Sequence, residues 1–135
     1  MDRMIFVNLP VKDLQRSMTF FKALGFTFNE QFTNEQAAYM NVNSQTAVML
    51  VTESFFQSFA PDRTIADPSR MEVQNAVSAA SRQEVDELVE KAMAAGARGV
   101  RPGHDEGGYM YSRQFQDPDG HLWDFVWMDP SVIAH

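Results

Sequence analysis

The sequence contains no cysteine. Disulfides, a thiolate nucleophile and a cysteine-ligated zinc site are therefore excluded, and the composition fits a reducing compartment such as the cytoplasm. Basic residues are few: 11 Lys and Arg stand against 18 Asp and Glu, giving a formal net charge of −7. No Lys/Arg run interrupts this balance, and nucleic-acid surfaces need clustered positive charge, so no nucleic-acid partner is expected. Long apolar runs are also missing. The opening stretch to Val11 is broken by Asp2, Arg3, Asn8 and Pro10, so neither a signal peptide nor a membrane partner is expected. There is no nucleophile elbow, phosphate-binding loop or dinucleotide fingerprint.

What remains is 135 residues, 44% hydrophobic and 21% charged, a composition that supports one packed domain with a real core. Met4 to Leu9 reads as a short buried strand. Asp13 is an N-cap for a helix whose apolar stripe is Leu14, Met18, Phe21 and Leu24, closed by Gly25. Phe26, Phe28 and Phe32 alternate as in a half-buried strand. Ala38 to Val42 and Thr46 to Thr52 form a hairpin across Asn43-Ser44-Gln45. Glu53 to Phe59 reads as a short helix carrying Phe55, Phe56 and Phe59, which would cap a cleft or enter a dimer contact.

The plan then repeats. Glu72 to Ala79 is a strand. Ser81 and Glu84 make a capping box for a helix with the stripe Val85, Leu88, Val89, Ala92 and Ala95, ended by Gly96. Val100 is a short edge and Pro102 to Gly108 a loop. Tyr109 to Phe115 and Leu122 to Met128 pair across Asp117-Pro118-Asp119-Gly120. Gly25 and Gly96 lie 71 positions apart (96 − 25). Ala38-Tyr39-Met40 matches Gly108-Tyr109-Met110, and Val48-Met49-Leu50-Val51 matches Trp123-Asp124-Phe125-Val126. The expected fold is α+β: two βαβββ modules whose curved mixed sheets enclose a cleft, one face of each sheet covered by a helix. The chain is expected to be one domain over residues 1–135, with module one over 1–60, a linker over 61–70 and module two over 71–130.

Two stretches carry a family resemblance. One runs Val7-Asn8-Leu9-Pro10-Val11-Lys12-Asp13-Leu14 to Ser17, Phe20, Phe21, Leu24, Gly25 and Phe26. The other comprises Phe115, Asp117-Pro118-Asp119-Gly120-His121, Trp123 and Asp124. Together they resemble the vicinal oxygen chelate superfamily of glyoxalases, extradiol dioxygenases and bleomycin-resistance proteins, and more closely a glyoxalase-like bacterial branch. The resemblance implies a cleft, a homodimer and, in metal-using relatives, a divalent ion held by up to four side chains. Those positions fall at Phe6 or Asn8, Leu50 or Met49, Gln74 and Asp124. Only Asp124 is a charged ligand type, so no metal and no other cofactor is expected.

Asp124 on an apolar strand is a carboxylate aimed into the cleft or a structural carboxylate paired with an Arg. Asn8 and Gln74 occupy matched places in the two first strands, as cleft-floor amides or as satisfied core amides. Tyr109 and Tyr111 share one strand face, and Trp123, Phe125 and Trp127 another. Arg113 could pair with Asp124 or with an anionic ligand. His121 reads as a turn residue opening the last strand, His104 as a solvated loop residue beside Asp105 and Glu106, and His135 as a terminal residue. The reading that follows is metal-independent binding of a small organic molecule by Asn8, Met49, Gln74, Tyr109, Tyr111 and Asp124. The alternatives are a glyoxalase-like lyase or isomerase with a degenerate metal site using Asp124 and His121, and a structural dimer with a vestigial cleft.

Overall fold

The computed structural model describes residues 3–133, so His135 lies outside the described residues. The chain divides into two compact units, Met1–Asp67 and Pro68–His135. In the first, β1 (Ile5–Val11) leads into α1 (Leu14–Ala23), which Asp13 opens by accepting the Arg16 amide at 3.1 Å. Gly25 then adopts φ 99°, a left-handed conformation that only glycine takes without strain, and so turns the chain back onto the sheet. The strands β2 (Thr27–Phe28), β3 (Ala37–Asn43) and β4 (Thr46–Thr52) complete a mixed sheet of order β1-β4-β3-β2, with β1 parallel to β4. A short helix, α2 (Glu53–Gln57), follows.

The second unit repeats the connectivity: β5 (Gln74–Ser78), α3 (Arg82–Ala94), β6 (Arg98–Gly99), β7 (His104–Glu106), β8 (Met110–Gln116) and β9 (Leu122–Met128), with α4 (Pro130–Ile133) at the end. Its sheet runs β5-β9-β8-β6, with β7 also on β8. The architecture is α+β, built from two βαβββ modules with mixed sheets. Helix α3 packs across β8 and β9. Its buried Val85, Val89 and Ala92 lie in a core with Phe115, Trp123 and Phe125, and the Phe115 and Phe125 rings stack 5.8 Å apart. Each of these large side chains contributes roughly 2–3 kcal/mol through burial.

Three local expectations change. Phe32 does not extend a strand. The Asn29 side chain accepts the Gln31 amide and turns Glu30–Phe32 into a 3-10 helix. Residues 104–106 are not loop: their backbone pairs with β8 although all three side chains are exposed, so edge hydrogen bonding makes this strand without an apolar pattern. The capping box is offset by one residue. Ser81 accepts the Glu84 amide at 3.0 Å, while the Glu84 carboxylate takes the amide of Ala80, also at 3.0 Å.

Candidate functional site

Strand alternation decides what β9 presents to each side. Trp123 and Phe125 point to α3 and are buried, at 1% and 2% exposure. Asp124 therefore faces the other way. Register places Ala76 of β5 and Gln114 of β8 beside it, with Gln74 one step along β5 on the same face.

Asp124 is 8% exposed, and its Oδ1 is buried with no hydrogen-bond partner. The other oxygen lies 3.7 Å from the Arg101 guanidinium. Burial pushes this carboxyl above the ordinary value of 3.8. The positive charge of Arg101 and hydrogen bonding from Gln74 pull the other way without cancelling the rise. The result is a desolvated carboxylate with one unspent acceptor, flanked by amides and a half-exposed cation. Arg101 carries no motif and sits after a two-residue strand, so nothing in the sequence singled it out.

Arg113 is not the partner of Asp124. It reaches Asp86 at 3.1 Å and Glu90 at 3.7 Å, both on α3. Tyr111 lies on that same helix-facing side, with its hydroxyl on Asp86 at 2.6 Å. Register sets Tyr111 opposite Trp127, so these two residues share a face, and the guanidinium of Arg82 sits against both rings, 5.6 and 4.9 Å from their centroids. Tyr111 and Asp124 are thus on opposite faces of one sheet. Tyr109 precedes β8 and is exposed.

In the first unit, Asn8, Met49 and Tyr39 form one row across the sheet. The Tyr39 ring meets Phe6 at 5.9 Å and Phe32 at 5.8 Å. The matching row in the second unit is Ala76, Asp124 and Gln114. Asn8 therefore corresponds to Ala76, and Gln74 to Phe6, two residues from the correspondence expected between Asn8 and Gln74. The Tyr-Met match at 39–40 and 109–110 is likewise out of register: Tyr39 stands opposite Met49 as Gln114 stands opposite Asp124.

His121 belongs to a different construction. Asp117, 5% exposed, accepts the amides of Asp119 and His121 at 2.9 Å each and the indole N–H of Trp123 at 3.0 Å. The carboxylate thereby staples the turn to the core ring. His104 is paired with Glu106 at 2.8 Å on the exposed edge.

Among the described residues, no group of three or more His, Cys, Asp or Glu side chains comes together as a metal site would require. The positions the family uses hold an aromatic ring or an amide, a thioether or a leucine, a glutamine, and one carboxylate already facing a guanidinium. That donor set does not fit a hard divalent ion.

Against known proteins, residues 3–125 match the model of the Glyoxalase/Bleomycin resistance protein/Dioxygenase superfamily. A hypothetical protein from S. aureus is 31% identical, with a TM-score of 0.78 over 94% of this chain and 95% of that one. A glyoxalase-related enzyme from Fulvimarina pelagi shares the fold at 21% identity, TM-score 0.81, over 94% of this chain and 88% of that one. So does the genomically encoded fosfomycin resistance protein FosX from Listeria monocytogenes, at 18% identity and TM-score 0.70, over 94% of this chain and 93% of that one. None of the curated proteins matches the chain. No helix among the described residues is long and apolar enough to cross a membrane.

Proposed function

For a chain that belongs to the Glyoxalase/Bleomycin resistance protein/Dioxygenase superfamily, we propose metal-independent binding of a small organic molecule at the Asp124 face of the second sheet. One observation carries this reading: the buried, unpartnered Oδ1 of Asp124. An orphaned carboxylate oxygen costs on the order of 1–3 kcal/mol, which a ligand donor would recover on binding. Gln74 and Gln114 on the same face offer amides that both donate and accept, and so adapt to a ligand's polar groups. Asn8 and Met49 line the equivalent face of the first sheet, in the other unit. Tyr111 enters only by holding β8 against α3.

The competing reading is a glyoxalase-like lyase or isomerase with a degenerate metal site, which the retained carboxylate at position 124 favours. Native mass spectrometry and elemental analysis of protein purified without chelator separate the two and also report whether the chain is a homodimer. A metal-free protein with co-purified mass, released by Asp124→Ala, supports binding. A stoichiometric divalent metal lost in Asp124→Ala refutes it.

A further inference from the structure

We infer that the ligand of this site is a small oxyanion that also carries a hydroxyl or amine, held between Asp124 and Arg101. This rests on the binding reading above and assigns its chemistry.

The pair is incompletely satisfied on both sides. Asp124 Oδ1 is buried without a donor. Arg101 makes no hydrogen bond among the described residues. Its partner there is Asp124 Oδ2 at 3.7 Å, and its side chain is 46% exposed. That separation is an ion pair beyond hydrogen-bond reach, so the N–H fork of the guanidinium has no protein acceptor. A planar fork of donors matches carboxylate or phosph(on)ate oxygens two at a time. A buried acceptor beside it matches one ligand O–H or N–H. The two groups are neighbours, so the donor and the anionic group must be adjacent in the ligand. A purely cationic ligand would be repelled by the guanidinium. A simple anion would leave Oδ1 orphaned and would approach the Asp124 carboxylate without compensation. Only a molecule carrying both groups satisfies both side chains.

The test is a fragment titration of the full chain, followed by NMR shifts of the Arg101 side chain and the β9 amides. The probes are glycolate, acetate, ethylene glycol and ethanolamine. Glycolate is expected to saturate, with acetate about tenfold weaker and ethylene glycol and ethanolamine, which lack a carboxylate, weaker still. Arg101→Gln is expected to weaken glycolate by about tenfold, and Arg101→Lys, which keeps charge without the fork, by less. Ethanolamine or ethylene glycol binding as well as glycolate, or glycolate unchanged in Arg101→Gln, overturns the oxyanion assignment while leaving small-molecule binding standing. No saturable shift with any probe overturns the inference. Displacement of the Asp124 signals by a stoichiometric metal instead refutes the binding reading itself.

Discussion

Removing the Asp117 carboxylate should unfold the second module's last hairpin more readily than any other single polar change in it. The group is 5% exposed and accepts three hydrogen bonds, two from turn amides and one from the buried indole of Trp123. Asp117→Ala orphans all three donors. Hydrogen bonds to a charged acceptor are worth about 1.5–3 kcal/mol each, but they are not additive and water reaches the turn amides, so the expected loss is about 3–5 kcal/mol. Asp117→Asn keeps an oxygen for the amides and turns an NH2 toward the indole N–H. It should cost about 1–3 kcal/mol, partly offset by no longer burying a charge. Urea unfolding monitored by tryptophan fluorescence reads both. With a slope of roughly 1–3 kcal/mol per molar, the alanine midpoint should fall by at least about 1 M. The pH dependence adds a second reading. Burial holds the Asp117 carboxyl above 3.8, against the opposing pull of His121 and the three donors. A raised folded pKa means that the folded state binds the proton more tightly. The contribution from protonation is complete below 3.8 and is lost as pH rises through the folded value. The stability advantage of wild type over Asp117→Asn should therefore grow as pH falls toward 4. An alanine loss below about 1 kcal/mol would refute the staple, and an advantage that shrinks on acidification would refute the burial-raised pKa.

Two further outcomes follow from the contacts. Tyr111→Phe removes the phenol that Asp86 and burial push upward in pKa. It should destabilise by about 1 kcal/mol in urea near neutrality, with fragment binding at Asp124 unchanged because the two residues face opposite sides; a binding loss equal to that of Asp124→Ala would contradict the strand register. Asp13→Ala removes the N-cap of α1 and should cost about 1 kcal/mol, restored largely by Asp13→Ser but not by Asp13→Leu.

The architecture was legible because its signals are local. Asp13, Gly25, Ser81 and Gly96 are caps and stops whose chemistry is set within one turn, and each sits where the helices begin or end. The apolar run of 122–128, broken by Asp124, gave β9 its bounds for the same reason. What was not legible depended on register. Alternation said that Tyr111 and Asp124 each face one side, but nothing local says which side of β8 matches which side of β9. The pairing of Tyr111 with Trp127 supplies that, and it moves Tyr111 and Arg113 to the helix. Arg101 was invisible because a charged residue in irregular backbone has no period to betray it.

Register also reveals how the two modules differ. Ala37 opposite Val51 and Ala38 opposite Leu50 become Ser112 opposite Val126 and Arg113 opposite Phe125. The geometry is retained through the hairpin while the chemistry changes. The row that reads Asn8, Met49, Tyr39 in one unit reads Ala76, Asp124, Gln114 in the other. A methionine at the central position gives a soft, adaptable apolar surface, whereas an aspartate gives a directed acceptor that is expensive to leave unpaired. An apolar residue packs at the matching position of the first module without that cost. The directed polar group thus lies in the second unit, while in the first Phe6, Phe32 and Tyr39 group on the face that Met49 occupies.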